Sequence, residues 1–391
     1  MEAKSANTKA AGGDGFAVAG WMDRVGEFVT RHRRLWISLG NIETKAVLAE
    51  RAGEAIDRPI YIAGLARSGS TILLETLARH PEVATHRYRD YPLIFTPYWW
   101  NRWLDRVARQ DERPVERTHR DGIAITSNSP EAFEEMLWMA FFPGLHDPSH
   151  RASLDDPAAD HRGFARFYVD HIRKLLAVRG RRRYVAKGNY NVTRLGYLLR
   201  LFPDARFVVP VRDPVWHIAS LMKQQALFAK GQHDNPAAVR HLQRVGHFEF
   251  GLDRRAIAIG DPRRVAEVTA LWQGGAEVEG WARYWTLIHD HVADVLAGSP
   301  EIRAATRVVR YEDLCQTPRQ TIAEALSHCG LAAGEGFLAE AAERIRFPGY
   351  YKPKFTDAEL AVIERETAPT ARKFGYGSPV NDSRPIARRS Q

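Results

Sequence analysis

Residues 60–76 read IYIAGLARSGSTILLET, and this stretch decides the fold. A short apolar run, 60–63, precedes a glycine loop, 64–71, and apolar residues at helical spacing follow until His80-Pro81. This order predicts a buried strand, a loop and a helix. The loop GLARSGST has the glycine spacing of the ATP-binding motif G-x-x-x-x-G-K-S/T, but Ser70 stands where that motif has lysine. The stretch therefore predicts a phosphate-binding turn without the ATP-binding lysine.

The same order of strand and helix recurs along the chain. The predicted strands are 60–63, 183–186, 206–211 and 306–311, and the helices after the last three are 192–202, about 218–229 and 318–329. Strands that alternate with helices predict an α/β fold, a three-layer sandwich around a mostly parallel central sheet. In such a sheet, ligands bind at the carboxyl ends of the strands.

The rest of the chain predicts one domain with additions. Residues 1–57 are interpreted as a disordered start, 1–15, plus a helical N-terminal extension, and 58–391 as a single domain. Helical inserts are expected at about 92–182 and 230–300, with Ser129-Pro130-Glu131 as a helix start. Such inserts form either a wall for a substrate or additional core.

Composition sets broad limits on function. The 56 Lys and Arg residues against 47 Asp and Glu residues give a net charge of +9, which suits an anionic ligand. The chain has no apolar run of transmembrane length, and 1–15 lack the apolar core of a signal peptide, so a cytoplasmic protein is expected. Cys315 and Cys329 lack metal-site spacing and are expected to be buried thiols.

Two segments carry candidate phosphate-binding residues. In the glycine loop, Arg67 adds a permanent positive charge to backbone N–H groups that converge at a helix N-terminus. The second segment, VVPVRDPVWHIASLM at 208–222, places Arg212 at a strand end and Ser220 eight residues later. Asp213-Pro214 is interpreted as the turn into the next helix. Two sites at two strand ends suggest a ligand with two separate phosphate groups.

These segments resemble those of the sulfotransferases that use 3′-phosphoadenosine 5′-phosphosulfate (PAPS). GLARSGST is similar to their 5′-phosphosulfate loop, and VVPVRDPVWHIAS to their 3′-phosphate segment, with the same order and separation. Further similar segments are YVAK at 184–187, LFPDARF at 201–207, VRYEDL at 309–314 and FGY at 374–376. The resemblance implies the P-loop-like sulfotransferase fold. Arg67, in place of lysine, is typical of the carbohydrate-, lipid- and protein-modifying members.

The resemblance also implies roles for individual residues. Lys187 would stabilise charge on the transferring sulfuryl group or leaving oxygen, together with Arg67. PAPS would be the donor, adenosine 3′,5′-bisphosphate the product, and no metal would be required. The residues implied to bind the donor are Arg67, Ser68, Gly69, Ser70, Thr71, Arg212, Ser220 and Tyr311.

The general base is the least determined assignment. Sulfotransferases with an arginine loop often have an acid about twenty residues after it, and Tyr88 occupies that position here. Asp90 is the nearest carboxylate and is the first choice, with His86 second. The neighbouring arginines would either keep Asp90 ionised or bind it in a structural ion pair. Glu134 and Glu135 are outside candidates, expected on a solvated helix face.

Two other functions remain open from the sequence. One is a small-molecule kinase that uses ATP and Mg²⁺, and the other is a non-catalytic module that binds an anionic partner through basic residues such as 179–183. For a sulfotransferase, the expected acceptor is a small-molecule, glycan or lipid hydroxyl, and nucleic acid is not expected. Contact with a membrane surface and the oligomeric state stay open.

Overall fold

The central element is a five-stranded parallel sheet. The computed structural model describes residues 15–49, 55–107, 114–119, 124–147, 154, 161–345, 347 and 352–377. The strands are β1 (Ile60–Ala63), β2 (Val83–Ala84), β3 (Val115–Glu116), β4 (Ala124–Ile125), β5 (Arg183–Gly188), β6 (Arg206–Val211) and β7 (Thr306–Arg310). The sheet has the order β2-β5-β1-β6-β7, and each neighbouring pair is parallel. β3 and β4 form a separate antiparallel ribbon.

Helices cover both faces of the sheet. In the first half of the chain they are α1 (Gly20–Arg31), α2 (Arg33–Val47), α3 (Ser70–Ala78), α4 (Pro97–Val107), α5 (Glu134–Phe141), α6 (Arg162–Arg179) and α7 (Leu195–Leu201). In the second half they are α8 (Pro214–Asp234), α9 (Pro236–Val245), α10 (Pro262–Gln273), α11 (Glu277–Gly298), α12 (Pro300–Ala305), α13 (Tyr311–Gln316), α14 (Pro318–His328), α15 (Glu335–Glu343) and α16 (Asp357–Lys373). Short 3₁₀ helices span Tyr88–Asp90 and Asn189–Thr193.

The burial of β1 shows why the sheet lies at the centre. Its four residues are buried, and successive side chains point to opposite faces of the sheet. Tyr61 and Ala63 belong to one hydrophobic core, whereas Ile60 and Ile62 belong to a second core on the other face. Helices pack over both cores, which confirms the predicted α/β fold with a mostly parallel central sheet.

The order of the strands opens a crevice beside β1. From β1 the chain crosses to β2 on one side of the sheet, and from β6 it crosses to β7 on the other side. The loops after β1 and β6 therefore diverge between two adjacent strands, the position at which open α/β sheets bind ligands. The glycine loop follows β1, and Arg212 follows β6, so both candidate phosphate segments lie at this crevice.

The N-terminal helices pack on elements of the two predicted inserts. α1 contacts α9, and α2 contacts α4 and α6. Buried Lys174 of α6 binds the buried carboxylate of Glu43 in α2 at 2.9 Å. The second N-terminal helix ends at Val47. Residues 1–14 of the start, which is predicted to be disordered, lie outside the described residues.

The predicted helix start at Ser129-Pro130 is wrong. Pro130 forms a β-bridge with Arg87, and the hydroxyl of Ser129 accepts from the backbone N–H of Thr126 instead of capping a helix. This pairing keeps the chain extended, and α5 begins only at Glu134. Glu131 consequently lies in a loop.

Glu134 and Glu135 do not lie on a solvated face, because both are buried. Glu134 accepts hydrogen bonds from the hydroxyls of Tyr168 and Tyr184, and burial raises its pKa. Glu135 accepts two hydrogen bonds from the buried guanidinium of Arg194, at 2.6 and 2.8 Å. The local pattern of apolar and charged residues does not reveal these partners, which lie up to 59 residues away.

The basic cluster at 179–183 also has a structural role. Arg179 binds the buried carboxylate of Asp90 at 2.6 Å, and the buried Arg183 donates to backbone carbonyls, including that of Cys329 at 2.6 Å. These two arginines are therefore not part of an exposed binding patch. Cys329 is a buried free thiol, and Cys315 is a half-buried one.

Candidate active site

The glycine loop forms a fixed turn at the N-terminus of α3. Gly69 has a φ of 100°, and a Cβ at this position would lie 2.6 Å from the ring of Tyr311, so the turn requires glycine. The buried hydroxyl of Ser68 donates to the carbonyl of Leu65 at 2.7 Å. A ring nitrogen of His217 lies 2.8 Å from the carbonyl oxygen of Ala66. The turn is therefore held open around the first N–H groups of α3, which favour an anion.

The structure brings the second candidate segment onto this turn. Arg212 is buried at the end of β6 and donates to the carbonyl of Arg67 at 3.2 Å. Its guanidinium carbon lies 4.5 Å from the ring centroid of Tyr311. Nε of Arg67 donates to the hydroxyl of the buried Ser220 on α8 at 3.3 Å. Four of the residues that the sequence singled out thus form one contiguous group.

A carboxylate from α13 supports the backbone beside Arg212. Glu312 accepts from the backbone N–H of Asp213 at 3.1 Å and from the hydroxyl of Tyr376 at 2.6 Å. The same hydroxyl lies 3.1 Å from the carbonyl of Val211. Asp213 accepts from the N–H of Trp216 and caps α8, as its interpretation as a turn implied. The VRYEDL and FGY segments therefore position the loop that carries Arg212.

Lys187 lies between the glycine loop and the adjoining cavity. Its Nζ is 3.3 Å from the hydroxyl of Thr71, and Nη1 of Arg117 lies 3.4 Å from that same hydroxyl. Burial lowers the pKa of Lys187, and the nearby carboxylate of Glu131 opposes this effect. Arg117 was missed from the sequence, because the β3–β4 ribbon carries no recognisable motif.

Asp90 does not occupy the position of a general base. Its carboxylate is fully buried and accepts from Arg179 at 2.6 Å and from Asn101 at 2.8 Å. Burial would raise its pKa, but the hydrogen bond from His86 and the charge of Arg179 hold that pKa well below its ordinary value. Its oxygens are bound by these partners and it does not line the cavity beside Lys187, so it is not placed to take a proton from a molecule there. The structure thus replaces the first-choice assignment of Asp90 with a buried structural ion pair.

His86, the second choice, belongs to the same buried network. Its Nδ1 lies 3.3 Å from the carboxylate of Asp90, and its Nε2 lies 3.1 Å from Nε2 of His171. Only 1% of His86 is exposed, and neither His86 nor Asp90 lines the cavity beside Lys187. The network connects the segment after β2 to α6, and these side chains do not line the cavity beside Lys187.

The cavity beside Lys187 contains a different carboxylate. This active-site cavity encloses about 790 Å³, counting the space open to solvent, and Arg67, Thr71, Arg117, Glu131 and Lys187 line it. Burial would raise the pKa of Glu131, but Lys187 and His247 outweigh burial and lower it. Glu131 is thus ionised near neutral pH and faces the same space as the basic residues.

The position of Glu131 follows from the bridge at Pro130. Its backbone N–H donates to the carbonyl of His86 at 3.0 Å, and its carboxylate accepts from the N–H of Ala132 at 2.7 Å. Three further acids, Glu134, Glu135 and Glu249, line the same cavity, and Glu249 accepts from the side-chain amide of Asn189 at 2.5 Å. Glu131 and Glu249 were missed from the sequence, because neither has a fixed spacing from the glycine loop.

Comparison with known proteins gives the family. A family model described as the sulfotransferase family matches residues 59–269, more than half of the chain. The chain belongs to this family. Membership supports sulfuryl transfer in general, and with it a transferase activity. The matched segment includes the glycine loop, Lys187, Arg212 and Ser220.

Solved sulfotransferase structures are similar to this chain at low sequence identity. A sulfotransferase from Mycobacterium tuberculosis is 16% identical, with a TM-score of 0.45, over 93% of this chain and 88% of the other. One from Mycobacterium avium is 14% identical, with a TM-score of 0.48, over 86% and 82%. One from Alicyclobacillus acidocaldarius is 13% identical, with a TM-score of 0.39, over 82% and 94%. No curated protein matches the chain significantly.

Two features are absent from the part of the chain that the structure describes. No described helix combines the length and the apolar composition needed to span a bilayer. Among those same residues, no three or more His, Cys, Asp or Glu side chains come together in an arrangement that could hold a metal ion.

Proposed function

We propose that this sulfotransferase moves a sulfuryl group from PAPS to an acceptor hydroxyl. The single observation that supports the proposal most is the contact between Arg67 and Ser220. It joins the phosphate turn after β1 to the helix after β6, and Lys187 lies beside that turn. A donor with a phosphosulfate at one end and a ribose phosphate at the other needs two anion sites at this spacing in the fold.

The residues of the crevice suit such a donor chemically. The left-handed Gly69 leaves a turn that a side chain would fill, and the N-terminus of α3 supplies N–H groups for the 5′-phosphosulfate. Ser70 and Thr71 add hydroxyls to this turn. Arg212 and Ser220 would hold the 3′-phosphate, because a guanidinium binds phosphate oxygens in pairs. Tyr311, against Gly69 and under Arg212, would lie beside the nucleotide.

Basic residues at the turn would favour departure of the phosphate. When bound, the donor supplies a sulfuryl group on a phosphate oxygen, and negative charge grows on that oxygen as its bond to sulfur breaks. Lys187 and Arg67 would stabilise this charge with the loop N–H groups, in a site that is partly screened from water. Lys187 serves this purpose while it is protonated.

We assign the general base to Glu131 instead of Asp90. As the acceptor oxygen bonds to sulfur, its proton would pass to the Glu131 carboxylate, and the bond between sulfur and the leaving phosphate oxygen would break. Glu131 lines the same cavity as Lys187 and Arg67, and the charges of Lys187 and His247 lower its pKa. General-base catalysis of this type contributes roughly 10²- to 10⁴-fold to a rate.

Calorimetry with adenosine 3′,5′-bisphosphate, compared with ATP and Mg²⁺, tests the donor class. The sulfotransferase proposal requires the bisphosphate to bind more tightly, because Arg212 and Ser220 contact a 3′-phosphate that ATP lacks. Tighter binding of ATP would instead favour the kinase. Incubation with ³⁵S-labelled PAPS and a panel of glycans and lipid alcohols then tests transfer, since the proposed acceptor is a carbohydrate or lipid hydroxyl.

A further inference from the structure

An apolar cavity adjoins the active-site cavity and shares residues with it. The apolar cavity encloses about 930 Å³, counting the space open to solvent. The residues that line both cavities are His119, Glu131, Phe228 and His247. Because Glu131, the proposed general base, lines both cavities, a molecule in the apolar cavity would contact it.

Most of the apolar cavity is lined by hydrocarbon. The lining includes Phe16, Val18, Met22, Phe133, Leu242 and Val245. Among the described residues that line it there is no Lys or Arg, and Glu131 is the one acid. Burial lowers the pKa of the lining residue His241 to about 4, so this ring is neutral near pH 7. An uncharged, mostly apolar molecule suits this surface better than a sugar, whose many hydroxyls would lose hydrogen bonds to water.

The N-terminal segment forms one wall of the apolar cavity. Phe16 is buried and packs edge-on against Phe228, with ring centroids 5.1 Å apart, and Gly231 leaves room for its ring where a Cβ would collide. The hydroxyl of Thr118 donates to the carbonyl of Gly15 at 2.7 Å. The first described residues are thus fixed over the cavity by α8 on one side and by the β3–β4 ribbon on the other.

Ion pairs hold the start of α1 in the same place. Asp23 binds Arg240 at 2.9 Å and Arg244 at 2.5 Å, both on α9. Because α9 also carries Leu242 and Val245, these pairs bring the apolar residues of two helices to opposite sides of one space. The N-terminal extension therefore lines the apolar cavity, in addition to its contribution to the core.

We propose that the acceptor is an apolar alcohol or phenol whose hydroxyl reaches Glu131 and whose body fills this apolar cavity. The inference rests on the proposed function, because it takes Glu131 as the base for the hydroxyl. It chooses the lipid-like acceptor over the carbohydrate, since most of the residues that line the cavity are apolar.

Direct binding of a homologous series tests this inference without turnover. Protein saturated with adenosine 3′,5′-bisphosphate is titrated with 4-methylphenol, 4-ethylphenol, 4-propylphenol and 4-butylphenol, and with maltose as the sugar. We expect the Kd to fall about fourfold for each added methylene, which is the change in affinity that full burial of one methylene gives. We also expect maltose to bind more weakly than 4-butylphenol. Rates of ³⁵S transfer to the same compounds should follow the same order in kcat/KM.

Two variants that narrow the apolar cavity sharpen the test. Val18→Trp and Met22→Trp place a large ring in the cavity from the half-buried N-terminal wall and should raise the Kd of 4-butylphenol at least tenfold. Val25→Trp is the matched control, because Val25 is also half-buried on α1 but does not line the cavity. Each variant should bind the bisphosphate as the unaltered protein does, which reports an intact fold.

Each result decides the inference. A Kd that does not fall with chain length, tighter binding of maltose, or unchanged 4-butylphenol binding in both cavity variants would overturn it and leave the proposed function standing. Failure of the unaltered protein to bind the bisphosphate would instead count against the proposed function itself. The two failures are therefore distinguishable.

Discussion

Nε of Arg67 lies 3.3 Å from the hydroxyl oxygen of Ser220, although 153 residues separate them in sequence. The contact couples the turn after β1 to helix α8. Arg212 reinforces it by donating to the carbonyl of Arg67 at 3.2 Å. The two candidate anion-binding segments are therefore linked by direct hydrogen bonds.

Substitution Ser220→Ala should weaken the nucleotide site without unfolding the protein. The hydroxyl accepts a hydrogen bond from Nε of Arg67, and a hydrogen bond to a charged group is worth about 1.5–3 kcal/mol. We expect the Kd for adenosine 3′,5′-bisphosphate to rise at least tenfold in calorimetry. Ser38→Ala, at an exposed serine on α2, is the control and should leave the Kd unchanged. Equal Kd values for both variants would contradict the assignment of Ser220.

Glu131→Gln and Asp90→Asn should have opposite effects. Glu131→Gln removes the proposed base and should lower kcat by roughly 10²- to 10⁴-fold, with nucleotide binding and Tm nearly unchanged. Asp90→Asn leaves Arg179 without its buried partner, a change that typically costs about 3–5 kcal/mol, so Tm should fall while kcat per folded molecule is retained.

Thermal melts and single-turnover ³⁵S transfer separate the two cases. The assignment would be reversed by a loss of turnover in Asp90→Asn at unchanged Tm, together with full turnover in Glu131→Gln.

The dependence of kcat/KM on pH should be bell-shaped. Lys187 and His247 lower the pKa of Glu131 below its ordinary value of 4.5 despite burial, so activity should rise as pH passes through a value below 4.5. Burial lowers the pKa of Lys187 below 10.5, so activity should fall again before that pH. In Glu131→Gln the acid limb should disappear and the alkaline limb should remain. An acid limb that persists in this variant would assign the limb to another group.

Asp213→Asn should stabilise the protein increasingly as pH rises. Burial raises the pKa of Asp213 from 3.8 to about 7, so the folded state holds a proton that the unfolded chain releases above pH 3.8. The unaltered protein therefore loses this stability as pH rises toward and through 7, whereas asparagine does not titrate and can still cap α8. The Tm difference between variant and parent should be larger at pH 8 than at pH 5.

Asp261→Asn provides the control for that measurement. Asp261 is also a helix N-cap, accepting from the N–H of Arg263 at 2.9 Å, but it is exposed. Its Tm difference should stay constant between pH 5 and pH 8. A pH-dependent difference of equal size at both caps would show that burial of Asp213 is not the cause.

Local sequence patterns predicted those segments of the candidate site that form turns directly after strands. The glycine loop and the segment from Arg212 to Ser220 each follow a strand, and parallel strands bring their carboxyl ends to one edge. Four predicted strands lie within one or two residues of their observed bounds. In these segments the apolar runs, the glycines and the strand ends all predict the same order of strand, loop and helix, and tertiary contacts do not change that order.

The proposed general base, Glu131, could not be predicted, because long-range contacts decide its position. The nearest acid in sequence, Asp90, is bound by Arg179, which lies 89 residues away. Glu131 enters the active-site cavity only because Pro130 pairs with Arg87, and residues that resemble a helix start concealed this pairing. Neither contact leaves a periodic or spacing signal. Sequence reasoning therefore grouped the candidate donor-binding residues and missed Glu131, the proposed proton acceptor.

Helix α8 carries residues of both halves of the site. Ser220 lies near its beginning, beside the candidate 3′-phosphate position, and Phe228 lines both the active-site and the apolar cavity. Eight residues of straight helix span about 12 Å, so α8 sets the distance between the proposed nucleotide and acceptor positions. One residue inserted between Ser220 and Phe228 would lengthen this distance by about 1.5 Å and turn Phe228 by about 100° away from the cavities. The number of residues between Ser220 and Phe228 on this one helix thus sets the distance between the proposed donor and acceptor.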